Sequence, residues 1–233
     1  MKISVCIIAT NRYKELVPEL IDGIKDFFLL KHDIIVHIFT DKLITQSLAS
    51  GRISIEQHII PSYAYPYATL FRYKILMDVP QQKYGDYIFY IDADSRIVSE
   101  IGDEILAPVV AVRHPGYFNG GGTWGDNKLS LSYTYPEKRK KYYCGGFSGG
   151  SNDHYYAISR LLKERIGADE KNGVMAVWHD ETHFNQYLSE TGGFLELDCS
   201  YMMPEPEHKR IAWGINNFEP KILALEKPKN FRN

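Results

Sequence analysis

Cysteine is scarce in this chain of 233 residues, and the three thiols are far apart in the sequence (Cys6, Cys144 and Cys199). An odd number of widely spaced cysteines forms neither a disulfide framework nor the spacing of a zinc site, and it fits a reducing compartment. The chain also lacks a long apolar run. The stretch Ile3–Ala9 is ended by Asn11 and Arg12, well short of the ~18 residues of a membrane span, and it is short for a signal peptide. We therefore expect a soluble, cytoplasmic protein without a transmembrane segment.

An excess of charge of either sign is absent as well. The 27 basic and 29 acidic residues give a formal net charge of −2, which excludes long-range attraction to nucleic acid or to an anionic membrane. Repeats and low-complexity linkers are lacking, and a chain of this length can bury a large core as one domain. Tyrosine is abundant, with 17 residues, many of them in loops where their rings can stack on bases or sugars.

The hydrophobic pattern predicts an α/β protein with a parallel sheet. Apolar runs alternate with amphipathic segments in the order β-α-β-β-α-β, which favours a Rossmann-like first half. The expected strands are Ile3–Ala9, Ile34–Thr40, Ile53–Ile60 and Tyr87–Ile91. The expected helices are Tyr13–Leu29, Ala68–Met77, Tyr155–Arg165 and Asp180–Leu188.

The strand Tyr87–Ile91 leads directly into two acids, Asp92 and Asp94. An uninterrupted apolar strand is typical of a parallel sheet, and ligands bind beyond the carboxyl ends of such strands. Two carboxylates on alternate residues suit a hard divalent cation, which would in turn hold the phosphates of a nucleotide. Acids also follow strands in ordinary turns, so this pair alone does not decide between the two interpretations.

Two later segments carry further candidate site residues. Gly145–Gly150 matches neither the Walker pattern nor G-x-G-x-x-G, and it indicates either close backbone approach to a ligand or packing glycines. In the polar segment Trp178–His183, two histidines are four residues apart, as in zinc proteases, but no third ligand is evident. The two acids of this segment are also typical first-turn residues of a helix.

Cations at two places in the chain suit an anionic ligand. Arg72 could bind a ligand hydroxyl or a carboxylate of the site, or it could lie on a solvent-exposed face. The last residues form a basic tail, which would be a mobile terminus or would close on a diphosphate. The cations of this tail are Lys227, Lys229 and Arg232.

In combination, these segments resemble glycosyltransferase family 6, the family of the blood-group A and B transferases and the α-1,3-galactosyltransferases. The matching phrases occur in the family's order and cover most of the chain. They are D-x-D at Asp92–Asp94, I-L-A-P-V-V-A-V-R-H-P-G at Ile105–Gly116, Y-Y-C-G-G-F-S-G-G-S at Tyr142–Ser151, A-V-W-H-D-E-T-H-F-N-Q-Y at Ala176–Tyr187, and P-K-N near the end.

The resemblance implies a single catalytic domain of the GT-A fold. It further implies metal-dependent, retaining transfer of N-acetylgalactosamine or galactose from the UDP-sugar to a glycan acceptor in α-1,3 linkage. Residues 1–94 would be the nucleotide-binding half, residues 95–226 the half that binds the donor sugar and the acceptor, and residues 227–233 the basic tail. The sequence does not indicate an oligomeric state.

The family's motif positions imply roles for individual residues. Asp92 and Asp94 would bind Mn²⁺, or Mg²⁺, and the diphosphate, and Glu181 would be the catalytic residue. His114 and Trp178 would face the acceptor. The remaining residues implied for UDP and the donor sugar are Ile8, Ala9, Tyr13, Arg72, Cys144, Gly145, Gly146, Asp180, Lys229 and Arg232.

The chain departs from the family in three respects. It lacks the membrane anchor and stem of the animal enzymes, which is typical of a soluble bacterial or viral member. It has D-x-D where many bacterial members have N-x-N, so metal dependence is implied. The acceptor-side loops at Asn119–Tyr135 match poorly, so the family does not imply the identity of the acceptor.

The resemblance also implies a preferred donor. The position that matches Gly146 is glycine in the A-type enzyme, which uses N-acetylgalactosamine, and alanine in the B-type enzyme, which uses galactose. Glycine leaves room for the acetamido group, and Cys144, in place of the family's Leu or Met, enlarges the same pocket. UDP-N-acetylgalactosamine is therefore the expected donor, with UDP-galactose used slowly.

Two other functional classes remain open at this stage. A nucleotidyltransferase that makes the UDP-sugar would carry a glycine-rich, basic loop after the first strand, where this chain has Ala9-Thr10-Asn11-Arg12. A lectin-like module would retain Trp178 and the aromatic loops, but it would need neither a metal–diphosphate site nor Glu181.

Overall fold

The computed structural model describes residues 1–227 and residue 231, and within them the chain forms ten strands and six α-helices. The strands are β1 (Lys2–Ile8), β2 (Asp33–Thr40), β3 (Ile53–Ile59), β4 (Tyr87–Ile91), β5 (Ser95–Ile97), β6 (Val110–Arg113), β7 (Tyr143–Ser151), β8 (Leu195–Leu197), β9 (Met203–Pro204) and β10 (Ile222–Ala224). The α-helices are α1 (Val17–Phe27), α2 (Tyr67–Leu70), α3 (Arg72–Leu76), α4 (Asn152–Lys171), α5 (His179–Thr191) and α6 (Glu207–Ala212).

Within the described residues, seven strands form one sheet in the order β3-β2-β1-β4-β7-β6-β8. β1, β2, β3 and β4 run parallel, and β6 and β8 are parallel to each other. β7 is antiparallel to both β4 and β6. The mixed α/β architecture with a mostly parallel sheet confirms the expected fold class and is consistent with a Rossmann-like GT-A fold. A small sheet, β5-β10-β9, lies beside it.

The parallel strands are buried on both faces, as their uninterrupted apolar sequences predict. On one face of β1, Ile3, Val5 and Ile7 pack in a core cluster with Leu20 and other residues of α1. On the other face, Cys6 and Ile8 join a second cluster that includes residues of α3 and α4. The sheet therefore lies between two helical layers. These layers do not cover the edge formed by the strand ends, which is where α/β proteins bind ligands.

Two predicted helices are broken in the structure. The segment predicted as the helix Tyr13–Leu29 begins with a 3₁₀ turn at Asn11–Glu15, and α1 starts only at Val17. Pro18, in the first turn of α1, has no amide hydrogen to continue a helix from upstream. The segment predicted as the helix Ala68–Met77 divides at Phe71 into two short helices, α2 and α3.

The glycine-rich segment Gly145–Gly150 is not a loop: it lies on β7, in the middle of the large sheet. Glycine is required there by close packing, since a Cβ on Gly149 would collide with the Phe89 ring of β4. The pairing of β7 with β6 shifts abruptly, because Ala111 lies opposite Ser148 while the next residue, Val112, lies opposite Cys144. The residues between them form a bulge, a feature that is common next to active sites.

All three cysteines, Cys6, Cys144 and Cys199, are buried free thiols, in agreement with the expectation that they form no disulfide framework. Burial raises the pKa of each thiol, and that of Cys199 rises to about 11. Among residues 1–227 and Phe231, none of the helices has both the length and the apolar composition that a bilayer crossing requires.

Candidate active site

A cavity of about 250 Å³ lies beyond the carboxyl ends of β1 and β4. Parallel strands direct their carboxyl ends to one edge of the sheet, which is where α/β proteins bind ligands. Ile8, Tyr13, Asp92 and Asp94, all expected to contact the nucleotide, line this cavity. Its other lining residues are Thr10, Asn11, Tyr63, Tyr65, Ala68, Thr69, Tyr90, Ala93, Lys227 and Phe231.

Asp92 is oriented by three neighbouring groups. Its Oδ1 accepts a hydrogen bond from the Tyr90 hydroxyl at 2.7 Å and lies 3.4 Å from Nη2 of Arg72. Its backbone amide donates to the carbonyl of Gly146 on β7 at 2.9 Å. The carboxylate is therefore fixed at the boundary between the cavity and β7.

Asp94 forms an ion pair with Lys227, whose ammonium group also lies 5.0 Å from the centre of the Tyr13 ring. A cation thus neutralises Asp94 at the cavity wall. The donor set of this site consists of hard carboxylate oxygens, which Mg²⁺ and Mn²⁺ prefer. Asp92 and Asp94 are therefore suited to hold such a cation together with phosphate oxygens of a ligand.

Arg72, the first residue of α3, connects four elements beneath the cavity. Its Nε lies 3.1 Å from Oδ2 of Asp180, its Nη1 donates to the Gly145 carbonyl, and its guanidinium lies 3.9 Å from the centre of the Tyr90 ring. The side chain is buried, and although burial opposes its charge, the carboxylates of Asp180 and Asp92 keep its pKa well above the ordinary value. Arg72 is therefore a charged, structurally fixed part of the site and does not lie on a solvated face.

Asp180 and Glu181 lie in the first turn of α5, and the contacts of both go beyond simple helix capping. Asp180 is fully buried against Arg72, and burial raises its pKa to about 6. Oε2 of Glu181 accepts a hydrogen bond from the backbone amide of Gly145 at 2.7 Å. Burial also raises the pKa of Glu181, to about 7, while the amide of Gly145 and the nearby Tyr142 oppose the shift. The first turn of α5 is therefore joined to the bulge of β7 through a carboxylate that titrates near neutral pH.

The two glycines of the bulge face different groups. A Cβ on Gly145 would lie 3.2 Å from Nη1 of Arg72 and 3.5 Å from Oε2 of Glu181. A Cβ on Gly146 would lie 2.8 Å from Cε of Met202 and 3.1 Å from Oδ2 of Asp92. Both positions therefore permit close approach of the backbone to the polar groups, while the Cys144 side chain is part of the core cluster.

His114 and Trp178, expected on the acceptor side, lie at the edge of this network. His114 follows β6, its Nδ1 accepts from the amide of Gly116 at 3.1 Å, and burial lowers its pKa to about 4. Its ring packs on those of Tyr117 and Tyr142, with the Tyr142 centroid 5.8 Å away. Trp178, at the start of α5, is half exposed. Burial, and then the nearby Glu181 carboxylate, raise the pKa of Tyr142, whose ring packs against His114.

Only some of the residues implied by the resemblance line the cavity. Those implied for the donor sugar, the acceptor and the chemistry lie outside its lining, namely Arg72, Cys144, Gly145, Gly146, Asp180, Glu181, His114 and Trp178. Three residues implied for the nucleotide either do not line it or fall outside the described part of the chain. Ala9 is fully buried in the core cluster beneath the cavity, and Ala93 lines the cavity instead. Lys229 and Arg232 lie outside the described residues. In the tail that was expected to be mobile, Phe231 is buried, with its ring 5.3 Å from that of Tyr13.

The histidines of α5 have separate partners. His179 adopts a positive φ of 52° and packs against Tyr65, with the ring centroids 5.7 Å apart. His183 is buried with its Nε2 3.4 Å from Oδ2 of Asp169. His179 thereby turns the chain between the half-exposed Trp178 and the buried Asp180. Such strained backbone is found preferentially at functional sites.

Several site residues were not identified from the sequence. Tyr90 binds Asp92, yet it belongs to an apolar strand segment that predicts only core. Tyr142 lies near Glu181, and it precedes the glycine-rich segment that was not predicted as a strand. Met202 is far from β7 in the sequence, and only the tertiary structure places it over Gly146. The alternation of the strand Tyr87–Ile91 could have identified Tyr90, because residues 90 and 92 share one side of the strand.

Known proteins with similar sequences are glycosyltransferases. The model of glycosyltransferase family 6 matches residues 1–198. Histo-blood group ABO system transferase 1 of Rattus norvegicus is 25% identical over 237 residues, which cover 98% of this chain and 67% of that protein. O-antigen biosynthesis glycosyltransferase WbnI of Escherichia coli is 26% identical over 97% of this chain and 95% of its own length.

A third relative is globoside alpha-1,3-N-acetylgalactosaminyltransferase 1 of Gallus gallus, 27% identical over 81% of this chain and 57% of that protein. The chain thus spans between about half and nearly all of the length of these relatives. They support a transferase that uses a sugar donor and an acceptor, rather than a nucleotidyltransferase or a lectin-like module. With the match covering most of its length, this chain belongs to glycosyltransferase family 6.

Proposed function

We propose that the protein transfers N-acetylgalactosamine, or more slowly galactose, from the UDP-sugar to a glycan acceptor in α-1,3 linkage with retention of configuration. The observation that carries this proposal is the continuous polar network from the cavity to Glu181. Asp92 lines the cavity and contacts Arg72, Arg72 binds Asp180 and the Gly145 carbonyl, and the Gly145 amide binds Glu181. A nucleotide in the cavity would thus place its sugar over Gly145, beside Glu181.

In this proposal the nucleotide is held at the strand ends. The tyrosines of the cavity wall stack on the base, and Asp92 and Asp94 hold Mn²⁺ or Mg²⁺ against the diphosphate. Such a cation supplies charge neutralisation for the leaving phosphate oxygen. Lys227, which now pairs with Asp94, would add a second positive charge once the diphosphate is bound.

Asp180 suits the role of a hydrogen-bond acceptor for the donor sugar. It is fully buried and paired with Arg72, and its two oxygens make no other side-chain hydrogen bond among the described residues. Lone pairs of the carboxylate that Arg72 does not occupy can accept hydrogen bonds from hydroxyl groups of a bound sugar. Arg72 keeps Asp180 charged and aligned for this purpose.

Glu181 is the residue to which we assign the chemistry. Its carboxylate, held by the Gly145 amide, stabilises the positive charge that develops at the anomeric carbon during departure of UDP. Two retaining routes use it: direct attack to give a glycosyl-enzyme, or stabilisation of an oxocarbenium ion while the acceptor enters on the face that UDP leaves. In the second route the proton of the acceptor hydroxyl passes to the departing phosphate.

The proposal is tested by incubating the protein with Mn²⁺ and a panel of UDP-sugars, with and without glycan acceptors, and measuring released UDP. We expect acceptor-dependent release that is fastest with UDP-N-acetylgalactosamine, and an α-1,3 linkage in the isolated product. Release with another nucleotide sugar only, or a β-linked product, would contradict it.

A further inference from the structure

A second group of ligating side chains lies on β2 and β3, and none of its members lines the active-site cavity. His37 of β2 is directly opposite Glu56 of β3 in the parallel register, and His58 follows Glu56 on the same side of its strand. Within the described residues, these are the three His, Cys or carboxylate side chains whose ligand atoms all lie within 4.8 Å of one another. The strand register itself therefore brings two imidazoles and one carboxylate together.

The distances within this group suit a small tetrahedral ion. Nδ1 of His37 lies 3.1 Å from Nε2 of His58 and 3.7 Å from Oε2 of Glu56. Zinc binds imidazole at about 2.0–2.1 Å, so two ligand atoms of a regular tetrahedral site are about 3.4 Å apart. The two distances to His37 bracket that value, and small side-chain movements would place all three atoms around one ion.

The surroundings of His37 supply the outer contacts typical of a metal-binding imidazole. Its Nε2 lies 3.1 Å from the hydroxyl of Ser4, which accepts a hydrogen bond from the amide of Gly85 at 2.9 Å. If Nε2 carries the ring proton and donates it to Ser4, the lone pair of Nδ1 faces His58 and Glu56. Tyr84 packs against the His37 ring at 4.9 Å and helps to fix its orientation.

The three side chains of this group differ in their exposure. His37 is fully buried, His58 is partly buried and Glu56 is exposed. The group is therefore open to solvent on the Glu56 side, from which an ion can enter.

We propose that His37, Glu56 and His58 form a zinc-binding site that joins the edge strand β3 to β2. Two imidazoles and one carboxylate are the ligands that zinc prefers, whereas Mg²⁺ and Ca²⁺ favour oxygen atoms. Glu56 is exposed, so a water molecule completes the four ligands. This site differs in ligand type and in place from the carboxylate pair Asp92 and Asp94.

The test is a titration with Zn²⁺ against a chromophoric chelator, with Mg²⁺ in excess. The protein carries Asp92→Asn and Asp94→Asn, which remove the other carboxylate site from the measurement. We expect one equivalent of zinc per chain and a higher midpoint of thermal unfolding with zinc than without. His58→Gln and Glu56→Gln should each weaken zinc binding at least about tenfold, as should loss of the outer contact in Ser4→Ala.

His208→Gln is the matched control, because His208 is an exposed histidine on α6, and zinc affinity should be unchanged in this variant. Circular dichroism of each variant establishes that it is folded, and Co²⁺ in place of zinc should give the intense visible absorption of tetrahedral coordination. Absence of a bound equivalent, or equal zinc affinity in the parent, His58→Gln and Glu56→Gln proteins, would overturn the proposal.

Discussion

At the level of single residues, the partly buried position of Glu181 at the start of α5 raises the pKa of its carboxyl group. The carboxylate form of a group with a pKa of about 7 increases as pH rises through 7. Because charge stabilisation requires the carboxylate, we expect kcat to fall as pH is lowered from 8 to 6. The same raised pKa means that Glu181 favours the folded state most below the ordinary pKa of Glu, and that this contribution is lost as pH rises to about 7.

Glu181→Gln should therefore reduce kcat by about 10²–10³-fold, because it removes an interaction made mainly in the transition state. Binding of the UDP-sugar, measured by calorimetry, should change little, because the carboxamide of the variant side chain retains an oxygen for the Gly145 hydrogen bond. The fall in kcat as pH is lowered through 7 should be absent from the pH profile of the residual activity. Near-normal kcat in this variant would show that Glu181 serves only to join α5 to β7.

Asp94 is the residue through which we test metal dependence. Asp94→Asn leaves a weaker oxygen ligand and no counter-charge for Lys227. We expect it to abolish turnover, and excess EDTA to abolish turnover of the parent protein until Mn²⁺ is restored. The control is Asp22→Asn on α1, which removes an exposed carboxylate from a surface ion pair. Full turnover of the parent in EDTA would exclude an essential metal.

Gly146 connects the donor preference to a particular contact. An added methyl group would meet Met202 and Oδ2 of Asp92, one of the two proposed metal ligands. We expect Gly146→Ala to lower the ratio of kcat/KM for UDP-N-acetylgalactosamine over UDP-galactose by about tenfold or more, within the range of one methyl group in a pocket.

The neighbouring glycine provides the comparison for this variant. A methyl group on Gly145 would press on Arg72 and Glu181, so Gly145→Ala should lower kcat for both donors and leave their ratio unchanged. A parent enzyme that is clearly faster with UDP-galactose would show that residues other than Gly146 determine the donor.

At the level of secondary structure elements, the C-terminal segment forms part of the cavity wall. Lys227 pairs with Asp94, and Phe231 packs on Tyr13, with the Arg12 guanidinium 4.6 Å from the Phe231 ring. We expect removal of residues 227–233 to raise the KM for the UDP-sugar while the protein remains folded, because terminal residues contribute little to the core.

Two point variants separate the contributions within this segment. Lys227→Ala should weaken UDP binding more at low than at high ionic strength, since it removes a charge. Phe231→Ala should weaken it equally at both, since it removes a packing contact. An unchanged KM for the donor after truncation would show that the segment does not contact the nucleotide.

The elements that the sequence predicted correctly are those with a strong and local signal. The bounds of β4 agree with the expected Tyr87–Ile91, and β1, β2 and β3 begin or end within one residue of the expected strands. The bulged strand β7 was not predicted, because its glycines have low intrinsic strand propensity and are required by the Phe89 ring of another strand.

The distinction between local sequence signals and tertiary contacts also applies to the candidate site. D-x-D and the acids of α5 follow from local patterns, and the structure connects them through Arg72. Tyr90 contacts Asp92 two residues further along the chain, so the alternation of its strand could have indicated it. The contributions of Tyr142 and Met202 depend on tertiary contacts between distant segments. No local pattern carries such information, so Tyr142 and Met202 could not be assigned before the fold was known.

At the level of the whole molecule, both halves expected from the sequence contribute to one sheet. β4, from residues 1–94, is hydrogen-bonded along its length to β7, from residues 95–226. A shared central strand pair predicts that the halves depend on each other for stability.

Alkylation of the three buried thiols can measure how far the two halves depend on each other for stability. Cys6 lies on β1, Cys144 on β7 and Cys199 before β9, so each reports on a different region. A buried thiol reacts with an alkylating reagent only when its region opens, and the reaction rate therefore gives the free energy of that opening. If the chain unfolds cooperatively, all three cysteines should be protected by the same free energy, equal to that from urea denaturation. Faster labelling of Cys199 alone, read by mass spectrometry of the peptides, would instead identify the small sheet as an independently opening unit.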